Sequence, residues 1–424
     1  MTSAELAASV WRIERSQLIG SAAKLLRDLD DAEDCAQDAL IRALETWPRD
    51  GTPTNPAAWL MTTTRNRALD RLRHRAMLAR EHEALAADEI AFDAHLVPDF
   101  VEQLDAARDA AEIGDELLRL IFIACHSALP PEAQVALTLR LLGGLETAEI
   151  ARAFLVPEAT VAQRIVRAKK SLHGQAFELP TATERGARLG AVLAVVYLIF
   201  NAGHSSGSGL TLLRPALCDE ALRLARQLQH LLPQDAEVHG LAALLEIQAS
   251  RLSARLDAQG RPVLLPDQDR RLWDRLLIRR GLAALDRAQT LPEPGIYTLQ
   301  AAIAAHHTRA TRAEDTDWPA IVRDYDRLYA LQRSPVVALN RAVAVGQAQG
   351  PQVAWVLLQA LGSEPALQRY PWLAGAQADV LERMGRLTEA RAAYLHAAEL
   401  SDNSAQQQLL RSKAQSISPI EGLD

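Results

Sequence analysis

Two breaks between Leu137 and Leu172 cut one helical pattern into three short pieces. Residues 132–142 are apolar at helical spacing until Gly143-Gly144 stops them. A second piece runs from Thr147 to Phe154, and Leu155-Val156-Pro157 separates it from a third that starts at Glu158 or Thr160 and reaches Leu172. Proline suits a helix start, because its fixed φ and missing N–H cost nothing there. Ile150, Ala151, Phe154, Val161, Ile165, Ala168 and Leu172 fall on the inner side of the last two pieces. Ala151 is small where two helices must cross closely. Gln163, Arg164, Arg167 and Lys170 are left facing outward. This is the pattern of a helix-turn-helix whose second helix enters a major groove, its early residues near base edges and its basic ones near phosphates. The same residues also allow a plain helical hairpin with a solvated basic face.

Elsewhere Val/Ile/Thr alternation is nearly absent, and Gly and Pro cluster between long periodic segments, so an all-α protein is expected. A chain of 424 residues holds two or three domains. Cys35, Cys125 and Cys218 lie far apart without metal-ligand spacing, which argues against a disulfide framework and for a reducing, cytoplasmic setting. Residues 1–20 lack the apolar core of a signal peptide. The most apolar stretch, Leu189 to Phe200, is shorter than the ~20 residues a membrane helix needs. No membrane, metal or cofactor is implied.

A net charge of −7 disfavours a nucleic-acid binder until its distribution is considered. Residues 65–80 carry Arg65, Arg67, Arg71, Arg73, Arg75 and Arg80 against the single acid Asp70, and residues 160–170 carry Arg164, Arg167, Lys169 and Lys170 with no acid. Between them, residues 81–116 hold twelve Asp or Glu against one Arg108. Two basic patches joined by an acidic linker suit two separate contacts on one DNA.

Residues 5–27 read as a first helix. Asp30 or Asp31 caps a second that runs through Ala36, Ala39, Leu40, Ala43 and Leu44 to Trp47, where Pro48 ends it. Its other face offers Glu33, Asp34, Gln37, Asp38 and Arg42. Asn55-Pro56 starts a third helix with Trp59, Leu60, Leu69 and Leu72 inward and the arginine strip outward. Asn66 sits among those arginines, where an amide can meet a base edge. Residues 81–111 read as an acidic linker and 112–128 as a further helix. Cys125-His126 has no partner placed to complete a nucleophile or metal site, and reads as a packed Cys beside a capping His.

After Leu172 the character changes. Residues 186–200 are apolar, and NAGHSSGSG at 201–209 reads as a Gly/Ser loop without phosphate-loop spacing, His204, Ser205 and Ser206 being its candidate pocket groups. From Leu217 helix pairs follow: Leu217–Leu232 with Ala236–Leu252, Trp273–Ala288 with Ile296–Thr308, Trp318–Leu331 with Val336–Gln349, and Pro371–Met384 with Leu387–Leu400. Such pairs bury their apolar faces only by stacking. Asp267 and Asp269, on a polar stretch before Trp273, are a weak match to paired catalytic carboxylates and a better one to loop residues.

Three stretches, DAEDCAQDALIRALETW at 31–47, AAWLMTTTRNRALDRLRHR at 57–75 and LPPEAQVALTLRLLGGLETAEIARAFLVPEATVAQRIVRAKKSL at 129–172, resemble regions 2 and 4 of extracytoplasmic-function sigma factors of the sigma-70 family. YLIFNAGHSS at 197–206, DQDRRLWD at 267–274 and TDWPAIVRDYDRL at 316–328 resemble the subgroup with a tetratricopeptide-like C-terminal extension. The resemblance implies an all-α chain: region 2 over 1–80, linker 81–111, region 4 over 112–175, a connecting helix and loop over 176–216, a tetratricopeptide-like array over 217–412 and a flexible tail over 413–424. It implies a non-enzymatic subunit that binds core RNA polymerase and promoter DNA, with a protein or peptide on the array's concave face. Carried over by residue, Asp34, Gln37, Asp38 and Leu40 face the polymerase clamp helices. Arg65, Asn66, Arg67, Asp70 and Arg73 match the part that reads and holds the −10 element, and Thr160, Gln163, Arg164, Arg167 and Lys170 the helix at the −35 element. Ala162 stands where many members carry a lysine or another polar residue, and Leu155 where the turn often has glycine, which is tolerable at negative φ. The rival reading is a stand-alone helix-turn-helix regulator with a ligand- or protein-sensing helical domain. It explains the helix-turn-helix and the array but neither 31–47 nor 57–75.

Overall fold

A computed structural model describes residues 2–86, 110–154, 156–173, 182–204, 213–401 and 403–417. Among them every regular element is helical, and β pairing is confined to one isolated bridge, Leu256 with Pro262. The chain divides into two compact units, residues 1–195 and 196–424.

In the first unit, α1 (Ser3–Leu26), α2 (Leu29–Asp50) and α3 (Pro56–Ala86) pack on one another, and α4 (Ala110–Ala124) packs on α1. Each start has a chemical cause. Thr2 and Glu5 form a reciprocal capping box on α1, and the Asn55 side chain accepts from the Ala58 N–H at 3.0 Å on α3. The cap of α2 is Asp28, which accepts from Asp31 N–H at 3.0 Å, two or three residues earlier than the expected Asp30 or Asp31. Nor does Pro48 end α2. It sits in the last turn, where only one ladder bond is lost, and the helix stops at Asp50 before Gly51. Ala32, Cys35, Ala36, Ala39 and Ala43 are buried along α2, so small side chains set a close approach to its neighbours.

The helix-turn-helix follows as α5 (Pro131–Leu141), α6 (Thr147–Phe154) and α7 (Glu158–Leu172), with the expected boundaries of the last two reproduced. Gly144, at φ 68°, takes the left-handed conformation the turn after α5 requires. Ile150, Ala151, Val161, Ile165, Ala168 and Leu172 are buried, and Phe154 is half-buried. Leu155, in the turn, lies outside the described residues.

The apolar stretch after Leu172 belongs to α8 (Ala182–His204), which continues through Asn201, Ala202 and Gly203 where a loop was expected. Gly203 permits this, because a Cβ there would lie 2.8 Å from the Arg214 carbonyl and 2.9 Å from the Cys218 amide. Ser205 and Ser206, like most of the acidic linker, lie outside the described residues.

In the second unit, α9 (Pro215–Leu231), α10 (Ala236–Ala249), α11 (Arg275–Thr290), α12 (Ile296–Arg309), α13 (Trp318–Leu331), α14 (Pro335–Gln349), α15 (Pro351–Leu361), α16 (Pro371–Arg383), α17 (Leu387–Leu400) and α18 (Ser404–Ser416) pack largely on sequence neighbours. Two of these helices depart from expectation. α15 was not anticipated, and α18 places Lys413–Ser416 in a helix, with Ala414 buried, rather than in a tail. Glu237 ties α10 to the start of α12, its carboxylate accepting from the N–H groups of Gly295, Tyr297 and Thr298 at 2.7–3.0 Å. A negative charge there meets the positive end of the helix.

Candidate nucleic-acid interface

The first unit presents three exposed faces, and one buried polar centre joins the helices that carry two of them. That centre is Glu33, which was expected on the outer face of α2 but is only 6% exposed. Its carboxylate accepts from Arg15 Nη2 at 2.9 Å and from Lys169 Nζ, and Arg140 Nε lies at 3.7 Å. α1, α2, α5 and α7 therefore meet at one charge. Arg15 also donates to the Arg140 carbonyl at 2.8 Å, and Lys169 reaches Asp30 at 2.6 Å. Burial alone would lower the Lys169 pKa, but Glu33 and Asp30 outweigh it and hold the ammonium above its ordinary value. Burial lowers that of Arg15, Glu33 opposing it. Beside this centre a cleft of about 360 Å³ is lined by Asp28, Asp30, Val166, Lys169, Lys170 and His173.

The first face runs along α2. Asp34 and Gln37 are exposed, while Asp38 and Leu40 are half-buried. Ile41, 53% exposed, and Leu44, 39% exposed, share this stripe. Leu44 was expected in the core, and neither was singled out as functional. An i, i+4, i+7 run from Gln37 was the available signal.

The second face is on α3, where the arginines divide. Arg71 pairs with Asp31 and Asp34, Arg75 pairs with Asp31, and Arg65 donates to Ser21 Oγ at 2.8 Å. These three hold α3 against α1 and α2. Asn66, Arg67, Asp70 and Arg73 remain exposed, with Arg73 and Asp70 3.3 Å apart. Arg65 is thus separated from the other four candidates. Trp59 is half-buried, edge-on to Trp47 at 5.5 Å, a packing position.

The third face is on α7. Gln163, Arg167 and Lys170 are exposed, and Thr160 and Arg164 are half-buried, all opposite the buried row Val161, Ile165, Ala168 and Leu172. Lys169 points the other way, into the Glu33 centre. Cys125 is buried 3.5 Å from the Thr138 hydroxyl, and burial pushes its thiol up to about 12. The carbonyls of Cys125, His126 and Leu129 accept from the Gln134 amide, so Gln134 caps this end of α4. Among the described residues no group of three or more His, Cys, Asp or Glu is placed to hold a metal ion, and no helix is long and apolar enough to cross a membrane.

Comparison with known proteins matches three segments of the chain. Residues 11–77 match sigma-70 region 2, residues 119–172 match sigma-70, region 4, and residues 188–289 match a family of unknown function (DUF6596). An uncharacterized protein of Rhizobium meliloti (strain 1021) is 44% identical over 399 residues, 94% of this chain and 92% of its own length. The ECF RNA polymerase sigma factor SigK of Mycobacterium ulcerans (strain Agy99) is 26% identical over 158 residues, 37% of this chain and 78% of its own length. The RNA polymerase sigma-H factor of Pseudomonas aeruginosa is 26% identical over 157 residues, with the same coverage, 37% and 78%. Regions 2 and 4 fall in order on the helices that carry the three exposed faces, and through these two regions the chain belongs to the sigma-70 family of transcription factors, the Rhizobium meliloti protein being similar in sequence over nearly the whole chain.

Proposed function

We propose that the chain is a dissociable, cytoplasmic sigma factor of the extracytoplasmic-function type. In this reading α2 docks core RNA polymerase through Asp34, Gln37, Asp38 and Leu40, joined by Ile41 and Leu44. Asn66, Arg67, Asp70 and Arg73 on α3, flanked by Arg65, read and hold the −10 element. Thr160, Gln163, Arg164, Arg167 and Lys170 on α7 meet the −35 element. The second unit is a tetratricopeptide-like regulatory or protein-interaction extension. A cleft of about 360 Å³ lined by Asn340, Tyr370, Trp372, Tyr394, Leu410 and Lys413 supports that last role.

The carrying observation is the pair Ile41 and Leu44, left exposed between the acids and amide of α2 on a helix whose opposite side is packed with alanines. Apolar side chains grouped on an exposed face suit a protein partner. Promoter opening adds a demand that α3 can meet: unstacked bases cost a few kcal/mol each to expose, and must be held while cations fix the backbone.

Core RNA polymerase pulled down by the purified chain tests the reading, beside Asp34→Arg with Asp38→Arg. Binding by the wild type and at least a tenfold loss in the double variant are expected. Absence of binding by the full chain and by residues 1–175, with tight binding to duplex promoter DNA alone, sinks it in favour of the stand-alone regulator.

A further inference from the structure

In the second unit, the segment that joins α10 to α11 carries three arginines that make no direct ion pair among the described residues. Arg251 and Arg270 both lie against the ring of Trp273, with Cζ 6.0 Å and 4.7 Å from its centroid. Arg255 Nη1 is 2.6 Å from His204 Nε2 at the end of α8. Arg270 Nη1 donates to the carbonyls of His307 and Ala310 at 2.5 and 2.6 Å, and Arg251 donates to the Gln248 amide oxygen. Every one of these acceptors is neutral. Among the described residues, none of the three guanidiniums has a carboxylate within ion-pair distance.

Acids are not scarce nearby: Asp315 and Glu314 act on Arg270 from beyond ion-pair distance, partly opposing the effect of its burial, and the others are engaged elsewhere. Asp257 pairs with Arg261 at 2.7 Å, Asp269 pairs with Arg271 at 2.7 Å, and Asp274 caps α11. Burial holds both imidazoles neutral, His204 near 2, with Arg255 and Arg251 adding to the effect, and His307 near 4, so neither adds charge and His204 serves as an acceptor. Arg251 itself is pushed down to about 10, by burial first and then by Arg255 and Arg270.

Two donors remain. Arg251 Nε and Trp273 Nε1 are buried without a hydrogen-bond partner, and Trp273 is 4% exposed. An arginine offers five N–H donors in a fixed fork that matches planar and tetrahedral oxyanions. Half-buried like charges repel, and a bound anion relieves that repulsion in proportion to its own charge. A phosphoryl group brings nearly two charges and three acceptor oxygens, whereas a carboxylate brings one charge and two oxygens.

We propose that Arg251, Arg255 and Arg270, beside the indole N–H of Trp273, form a binding site for the phosphoryl group of a small molecule. The site would give the extension a ligand input separate from the three faces of the first unit. It stands whether or not the sigma-factor reading does.

The test is calorimetric titration of the full chain with inorganic phosphate against chloride at matched ionic strength. Saturable binding of one phosphate per chain is expected, weakened at least tenfold by Arg251→Gln and by Arg255→Gln and unchanged by Arg271→Gln. In the wild type, phosphate is expected to slow amide exchange across residues 248–276 and to leave residues 335–417 alone, a readout that stands if either variant fails to fold. No saturable binding, equal binding in both variants, or protection anywhere but this segment overturns the proposal. So does a short duplex that protects the segment where inorganic phosphate does not, since the phosphates recognised are then those of DNA.

Discussion

Buried and half-buried cations meet opposite fates in the two units. In the first, Arg15 and Lys169 converge on Glu33, and Arg71 finds Asp31 and Asp34. In the second, Arg251, Arg255 and Arg270 find an amide, an imidazole and carbonyls. The residue type is shared, but one network closes on itself and the other stays open to an anion. A closed network holds helices together, and an open one costs stability until something fills it. The sharpest way to break this contrast is Glu33→Ala. Arg15 has 4% of its side chain exposed, so removing Glu33 leaves a buried charge without its counterpart. A loss of about 3–5 kcal/mol in the first unit is expected. Urea unfolding followed by amide exchange in α1, α2 and α5 measures it. Arg15→Met combined with Glu33→Leu should recover most of the loss, and a loss under about 1 kcal/mol in Glu33→Ala would mean the network is not what joins these helices.

The contrast also predicts opposite pH sensitivities. His204 and His307 are held below their ordinary value in the fold, near 2 and near 4. The unfolded chain therefore takes up protons first, and the second unit loses stability as pH falls below about 6.5, down to the folded values. Lys169 is held above its ordinary value of 10.5, so its contribution is complete below that pH and is lost only as pH rises through the folded value. Between pH 7 and pH 5 the two histidines together should cost the second unit on the order of 4 kcal/mol while the Lys169 contacts are untouched. Thermal melts across that range, assigned by exchange, check the sign. In His204→Gln, whose amide oxygen still accepts from Arg255, the acid loss should roughly halve.

The features legible in the sequence were those with local causes. α6 and α7 were readable to within about two residues because Gly143-Gly144 and Pro157 punctuate them, and their buried rows follow helical spacing. The exposure of Gln163, Arg167 and Lys170 on α7, and of Asn66, Arg67, Asp70 and Arg73 on α3, was readable for the same reason. Long-range pairing was not. Glu33 looked like a surface acid because Lys169, its partner, is 136 positions away. Arg65 looked equivalent to Arg67 until Ser21 of α1 claimed it. α8 was cut short at Asn201 because Gly203 reads as a loop residue, whereas its missing side chain serves a close backbone contact.

Lys169→Met probes the closed network more gently. The side chain is 12% exposed and Asp30 is 71% exposed, while Glu33 keeps Arg15. A loss of about 1–2 kcal/mol is expected, well short of the Glu33→Ala effect. Faster exchange should be confined to residues 28–34 and 166–173. Loosening across α1 as well would mean that Lys169, and not Arg15, dominates the centre.

The smallest effect belongs to a pair that looks strong on geometry alone. Asp269 accepts from Arg271 through both carboxylate oxygens, at 2.7–3.1 Å, and its pKa is drawn down to about 2 by those bonds and by the Arg271 backbone N–H. Yet the Arg271 side chain is 89% exposed, so water competes for every contact and salt screens what remains. Asp269→Asn keeps the side-chain acceptor that caps the short turn at Arg271 and removes only the charge. No resolvable change in melting temperature is expected, and none in phosphate binding. A clear fall in phosphate affinity would show that the charge of Asp269 orders the neighbouring Arg270, and the open network would then extend one residue further than its buried part.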